Sequence, residues 1–223
     1  MATQSQAFSL KKVLKDNQGL ILFMLLMCCF RSAVADWYTV PTGSMLPTIQ
    51  LGDRITVDKM AYDLRVPFSD IALMTIAEPQ RGDIVVFESK AADKRLIKRV
   101  IGLPGDRVAM HQDRVFINGE LLSYQRVNHN EDQLLASEQL GDITHSVRIE
   151  THAPANLSNF TEVTVPQDHY LVLGDNRRNS ADSRVYGFVP RSELKGKAHH
   201  VVFSLDYDNH FIPRSNRSFV SLY

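Results

Sequence analysis

The sequence predicts a mainly all-β protein with antiparallel sheets, preceded by one N-terminal transmembrane helix. Three observations support this class. Short runs of strand-forming residues recur along the chain, and glycine or proline turns separate them. Asn118–Gly119 stands between two such runs and is a strong signal for a two-residue hairpin turn. Beyond the N-terminal apolar segment, no long stretch has the apolar periodicity of a helix.

Length and composition exclude several classes of protein. The chain has 223 residues, enough for one large domain or two small ones. Its 44% hydrophobic and 22% charged residues are typical of a folded protein. The formal net charge is zero, so we expect no nucleic-acid partner. Both cysteines, Cys28 and Cys29, lie in the apolar segment, so the rest of the chain cannot form an internal disulfide.

The N-terminal segment has two interpretations. Residues 1–18 carry three lysines and are predicted to form a cytoplasmic tail. Gly19–Phe30 has no charge but is shorter than the ~20 residues that span a bilayer. Because Ser32–Ala35 resembles a small-residue cleavage site, one interpretation is a removable secretory leader. In the other, the helix continues past Arg31 to Tyr38, reaching about 28 Å from residue 20, and anchors the chain.

The remaining chain divides into a β-rich domain and an insertion. We assign residues 39–126 and 161–223 to the β-rich domain and residues 127–160, which are more polar, to an insertion or subdomain. The predicted strands are Arg54–Asp58, Ile84–Glu88, Leu96–Ile101, Arg107–Met110, Arg114–Ile117, Glu120–Leu122, Glu162–Val165, Tyr170–Leu173 and His200–Ser204.

Pro41–Ile49 directly follows the apolar segment and contains several hydroxyl residues. Prolines stiffen this stretch, and Gly43 permits either sign of φ next to Ser44. We therefore expect Ser44 on a tight turn, either as an exposed nucleophile or as part of an ordinary loop.

A serine nucleophile needs a base within hydrogen-bonding distance. None of the eight histidines stands in a recognisable serine-protease context, and a Ser-x-x-Lys arrangement is excluded because Pro47 occupies its lysine position. In Leu96–Asp106, Lys98 and Arg99 both lie among apolar residues, and period-2 counting does not choose between them. Arginine does not release its proton, so only Lys98 can act as a general base; otherwise it is a surface lysine.

Gly174–Arg184 is a third polar stretch, which alone would indicate a turn with weak surface ion pairs. Taken in order behind the apolar segment, Pro41–Ile49, Leu96–Asp106 and Gly174–Arg184 resemble the sequence boxes of type I signal peptidases (leader peptidases). These are membrane-bound serine proteases with a Ser–Lys dyad, and the resemblance runs from about Trp37 to the end of the chain.

The resemblance implies a role for each matching residue. Ser44 matches the nucleophile and Lys98 the base. Thr42 stands where the family has a serine whose hydroxyl joins the Ser44 N–H in the oxyanion hole. Met45 matches a wall of the substrate pockets that also contacts the membrane. The third stretch supplies Ser180, which hydrogen-bonds the lysine in the family, the supporting pair Asp182 and Arg184, and Arg178 in place of a frequent acid.

The resemblance also implies what the protein does and where. It favours a retained membrane anchor over residues 19–38, with the N-terminus cytoplasmic and a signal-peptidase-like catalytic domain on the periplasmic side of the bacterial inner membrane. Its partners would be the lipid bilayer and precursors carrying signal peptides, cut after small residues of the Ala-X-Ala type. We expect no cofactor and no metal.

Three alternatives remain from the sequence. A specialised peptidase of a conjugation or pilus system would carry the same boxes. A Ser–Lys autoprotease of the SOS-repressor type would need a DNA-binding domain in place of the apolar segment. A non-catalytic, membrane-anchored β module would show no reactivity at Ser44.

Overall fold

The computed structural model describes residues 10–222; residues 1–9 of the predicted tail and Tyr223 lie outside them. The helices are α1 (Leu10–Asp16), α2 (Gln18–Ala33) and α3 (Ser183–Tyr186). The strands are β1 (Ala35–Thr39), β2 (Asp53–Asp58), β3 (Asp63–Arg65), β4 (Ala72–Thr75), β5 (Ile84–Ser89), β6 (Lys94–Gly102), β7 (Arg107–His111), β8 (Arg114–Ile117), β9 (Glu120–Leu121), β10 (Ser123–His129), β11 (Gln133–Leu140), β12 (Ile143–Glu150), β13 (Phe160–Thr164), β14 (His169–Leu173), β15 (Val189–Pro190), β16 (Leu194–Asp206), β17 (Ile212–Pro213) and β18 (Val220–Ser221).

The largest sheet has the strand order β1-β2-β16-β5-β6-β14-β15, and β17 and β18 also pair with β16. All pairings between its strands are antiparallel, which confirms the predicted mainly all-β fold class. Strand β5 shows why the sheet is stable. Its residues Ile84 and Val86 join one core cluster while Val85 and Phe87 join another, so both faces of the strand are covered.

Three smaller sheets complete the described part of the chain: β13-β7-β8-β9, β10-β11-β12 and the two-stranded β3-β4. Asn118 and Gly119 connect β8 to β9 with φ values of 54° and 86°. Positive φ at both central residues is what a type I′ turn requires, so the predicted hairpin is confirmed. Strands β10 to β12 lie in the stretch from residue 123 to residue 150, which overlaps the segment interpreted as an insertion.

The N-terminal helix ends earlier than the sequence indicated. Helix α2 stops at Ala33, and Trp37 and Tyr38 lie instead in β1, which pairs with β2. The extension of the helix to Tyr38 is therefore wrong. Lys59 explains the stop, because its Nζ donates to the Arg31 carbonyl at 2.8 Å and satisfies one of the last carbonyls of the helix.

Within residues 10–222, no helix is both long and apolar enough to span a bilayer. Arg31, which the anchor interpretation had to accommodate, pairs with Asp36 at 2.7 Å and stacks on the Trp37 ring at 4.3 Å. The junction between α2 and the main sheet is thus stabilised by an ion pair and a cation–π contact.

Candidate active site

A partly exposed turn carries Ser44 to the main sheet. The Val40 N–H donates to the Asp53 carbonyl, which continues the β1–β2 ladder up to the turn. Met45 and Ile49, only 1% and 0% exposed, then anchor the turn in the core below. Because both apolar side chains are fixed, the Ser44 hydroxyl is left at the surface of the turn. Burial of Met45 also means that the membrane contact implied for it is wrong.

Lys98 lies within hydrogen-bonding distance of Ser44. Its Nζ is 2.7 Å from Ser44 Oγ and 2.9 Å from the Ile97 carbonyl. The residue is only 2% exposed, and burial lowers its pKa from 10.5 to about 8, although Asp182 and Asp175 oppose the shift. An amine with that pKa is neutral in roughly one molecule in ten at pH 7, against far fewer for a free lysine, so it can accept a proton.

The third polar stretch supports the site through Asp182. This carboxylate accepts from the Gly174 N–H at 2.9 Å and from the Ser180 hydroxyl at 2.8 Å, and it forms a buried ion pair with Arg184 at 2.6 Å. Arg184 also donates to the Leu157 carbonyl, which ties the loop to the neighbouring segment.

Ser180 is placed differently from what the resemblance implies. Among the described residues, the hydrogen bonds of Lys98 go to Ser44 and Ile97, and Ser180 is not a partner. Its hydroxyl is directed to Asp182 instead. Ser180 therefore acts on the site through the shape of the loop rather than through a bond to the base.

Arg178 points away from the site. Its guanidinium pairs with Asp113 Oδ2 at 2.7 Å, at the turn between β7 and β8. The charges that shift the pKa of Lys98 are those of Asp182, Asp175, Lys94 and Arg184. Arg178, which stands where the family frequently has an acid, thus forms an ion pair with an acid outside the site.

Two residues that the sequence analysis did not single out hold the nucleophile turn in place. The Asn176 N–H donates to the Ser44 carbonyl and its Nδ2 to the Gly43 carbonyl, both at 3.1 Å. Asp175 accepts from the Thr48 hydroxyl at 2.6 Å. Their position inside the third polar stretch was the one sequence feature that indicated a role in the site. Nothing in the local sequence pattern showed that they contact the turn that carries Ser44.

Asp175 is itself fixed by a bidentate ion pair with Arg99, in which both side chains are 1% exposed. Burial alone would raise the pKa of Asp175, but the Arg99 charge and its hydrogen bonds keep that pKa below its usual value. Arg99, which lies among apolar residues of β6, thus has a buried carboxylate partner in Asp175.

A cleft of about 450 Å³ opens beside Ser44 and Lys98. Its lining residues come from the serine turn, from the first half of β6 and from the third polar stretch: Val40, Pro41, Thr42, Gly43, Ser44, Met45, Lys94, Arg95, Leu96, Ile97, Lys98, Asn179 and Ala181. At one end the Arg95 guanidinium stacks on Tyr38 at 4.4 Å, and at the other end Lys98 contacts Ser44.

One edge of β6 is open along this cleft. Strand β14 pairs with β6 only at residues 99 to 102, whereas β5 pairs with its other edge from residue 94 to residue 99. Residues 94–98 therefore present backbone groups toward the cleft that a bound extended peptide can pair with.

Two hydrogen-bond donors next to Ser44 are unoccupied. Within the described residues, neither the Thr42 hydroxyl nor the Ser44 N–H donates to a protein acceptor, although both residues line the cleft. Donors in this position can stabilise negative charge on an oxygen bound beside Ser44 Oγ. None of the histidines contributes to the lining of this cleft.

Comparison with known proteins identifies the family of the chain. The model of the family described as signal peptidase, peptidase S26, matches residues 14–203. Signal peptidase I of Pseudomonas aeruginosa is 37% identical over 194 residues, covering 80% of this chain and 67% of the relative. The probable signal peptidase I-2 of Synechocystis is 37% identical over 191 residues, covering 83% and 71%. A crystal structure of a signal peptidase I from Enterococcus faecalis aligns with a TM-score of 0.36 and 32% identity, over 55% of this chain and 97% of that one. The matched span contains the whole cleft, and the chain belongs to the signal peptidase family, peptidase S26.

Proposed function

We propose that the chain is a signal peptidase that removes N-terminal signal peptides from exported precursors, with Ser44 as nucleophile and Lys98 as general base. The observation that carries this proposal is the 2.7 Å contact between Lys98 Nζ and Ser44 Oγ, with the lysine almost fully buried. Burial is what makes a lysine usable here, because it lowers the pKa to about 8.

The reaction has two halves. Neutral Lys98 accepts the Ser44 hydroxyl proton while Oγ forms a bond to the scissile carbonyl carbon. The protonated lysine then donates to the leaving amine as the peptide C–N bond breaks, which leaves an ester on Ser44. A water molecule loses its proton to Lys98, attacks this ester and releases the signal peptide, and Ser44 regains its proton from Lys98.

The oxyanion that forms in both halves would be stabilised by the Ser44 N–H and the Thr42 hydroxyl. Both donors are unoccupied within the described residues and line the cleft with the nucleophile. In such a site the hydrogen bonds strengthen as charge develops, so they stabilise the transition state more than the bound substrate.

The cleft suits an extended peptide with small side chains. The open edge of β6 can pair with the substrate backbone, and the walls near Ser44 are formed by Val40, Met45, Leu96, Ile97 and Ala181. These apolar side chains would contact the substrate residues that precede the cut. Small substrate side chains at the first and third positions before the cut fit against such walls without a steric clash. We therefore expect cuts after Ala-X-Ala sequences.

An apolar surface supports the proposed location at the bacterial inner membrane. Along α2 the large side chains from Leu20 to Met27 are 41–61% exposed. The β3–β4 hairpin adds exposed Phe68, Ile71 and Leu73, and the Phe68 N–H donates to Ser32 Oγ at the end of α2. Exposed apolar area on this scale is typical of a membrane-contacting surface. A single pass with the N-terminus in the cytoplasm and the cleft on the periplasmic side remains a prediction.

The test is cleavage of purified secretory precursors, with the cut sites mapped by mass spectrometry. The protein should cut after Ala-X-Ala, and the Ser44→Ala and Lys98→Ala variants should lose this activity while keeping their circular dichroism spectra. Lys98→Arg should be equally inactive, because a permanent cation cannot accept the serine proton. Substantial turnover by Lys98→Arg would refute the dyad, and a uniform failure to cut any precursor would refute the function.

A further inference from the structure

The end of the cleft away from Ser44 carries a lysine that the reaction does not use. Lys94 is the first residue of β6 and lines the same cleft as the catalytic pair. It shares a strand face with Lys98, because the two are an even number of residues apart. At the usual rise of a strand, their Cα atoms are separated by about 13 Å along the cleft.

Two neighbouring cations, Arg95 in the cleft lining and Lys195 outside it, are already paired. Arg95 binds Glu88 at 2.7 Å, and Lys195 pairs with Asp70 and lies 3.6 Å from Glu88. In the described part of the chain, Lys94 has no carboxylate within ion-pair distance, its chain neighbour Asp93 included. Its Nζ lies 5.8 Å from the centre of the Tyr186 ring, a cation–π contact that leaves the ammonium charged.

A substrate strand would bring one of its own side chains to this cation. A peptide paired with the open edge of β6 advances at the same rise per residue as β6 itself. The apolar walls near Ser44 receive the residues just before the cut, so the part of the substrate that reaches Lys94 lies four or five residues before it.

We propose, on the basis of the proposed function, that Lys94 is a specificity-determining residue. It favours precursors with an acidic side chain four or five residues before the cut and disfavours those with lysine or arginine there. The chemistry is a direct charge pair at the rim of the cleft. Because Lys94 is exposed, the preference is a modest one that salt weakens.

The experiment uses three peptides that contain the same Ala-X-Ala sequence and differ only at the fourth residue before the cut, which is Glu, Gln or Lys, with a second set that varies the fifth. The measured quantity is the ratio of kcat/KM for the Glu peptide to that for the Lys peptide. Since both values come from one enzyme, any influence of Lys94 on the pKa of Lys98 cancels in the ratio.

The wild-type ratio should be about 3 to 10 at low salt, fall toward 1 in Lys94→Met and drop below 1 in Lys94→Glu. Added salt at 0.5 M should reduce the wild-type preference. Lys90→Met is the matched control, because Lys90 is exposed and outside this cleft, and it should keep the wild-type ratio.

A wild-type ratio near 1 in both peptide sets, or a preference that survives in Lys94→Glu, would overturn the specificity role. Failure of the proposed function is distinguished by the Gln peptide. If wild-type enzyme does not cut that peptide at all, the activity itself is absent, whereas cutting all three peptides equally refutes only the role of Lys94.

Discussion

Replacing Lys98 by methionine should stabilise the protein at neutral pH, and the gain should shrink as the pH rises. Methionine has a similar length and no charge, so it fills the buried site without the ammonium group. The side chain it replaces is only 2% exposed and has a pKa of about 8 in place of 10.5. Between those two values the unfolded chain binds more protons than the folded one, so the stability of the wild-type protein increases with pH there.

The change in the free energy of unfolding follows from the change in the pKa of Lys98. Lowering the pKa from 10.5 to about 8 corresponds to roughly 3 kcal/mol at pH 7, where nearly all of the lysine is charged in both states. At pH 9.5 most of the folded lysine is neutral, and the remaining cost falls to about 1 kcal/mol. The difference in stability between the variant and the wild type should therefore decrease by about 2 kcal/mol over this range.

The loss of hydrogen bonds opposes this gain in stability, and its free energy does not depend on pH in the same way. Lys98→Met removes the donor to Ser44 Oγ and to the Ile97 carbonyl, and each lost hydrogen bond costs about 1 kcal/mol. The net gain at pH 7 is thus about 1 kcal/mol, whereas the slope against pH comes from the titration of Lys98 alone. For this reason the slope is the quantity to measure.

The assay is urea unfolding at pH 7, 8, 9 and 9.5 for wild type, Lys98→Met and the exposed control Lys90→Met. Subtracting the wild-type curve removes the titration of all other groups. The Lys98→Met difference should decrease with pH, and the Lys90→Met difference should stay flat. A flat Lys98→Met difference would show that Lys98 is not desolvated, and the explanation of its basicity would then be refuted.

Three further predictions concern activity. The kcat/KM of the wild-type enzyme should rise with pH through about 8, because the neutral form of Lys98 is the active one; a profile that rises only near 10.5 would contradict this. Thr42→Val should lower kcat by about 10²–10³-fold while Thr42→Ser stays near normal, and equal kinetics of the two variants would make Thr42 only a turn residue. Gly174→Ala should also lower kcat strongly, because its Cβ would stand 2.4 Å from the Ser44 carbonyl oxygen and 2.2 Å from Ser180 Oγ. Gly19→Ala, whose Cβ meets nothing within 4 Å, is the control, and unchanged kcat in Gly174→Ala would show that the loop yields freely.

Much of the architecture was predictable because local signals agree with the fold. Each predicted strand coincides with an observed strand apart from its ends, and the Asn118–Gly119 turn needed no tertiary information. Strands β10 to β12 were not predicted, and for β10 the reason is that it is mostly exposed and polar and has little periodicity. The extent of the N-terminal helix was mispredicted since its end depends on Lys59, a residue distant in sequence.

In the site, the sequence predicted which residue types could perform the chemistry, and only the structure shows how they are held. Successive side chains of β6 point to opposite faces of the strand, and for this reason the sequence did not distinguish Lys98 from Arg99. In the structure both residues serve the site, one from each face. Lys98 contacts Ser44 directly, and Arg99 binds Asp175, which accepts from Thr48 in the same serine turn. A buried ion pair adds little net stability, but breaking it leaves a buried charge and is costly, so its geometry is strongly fixed. Neighbouring residues of one strand therefore supply the base and the ion pair that holds the turn with the nucleophile. A register error in β6 would misplace both residues together.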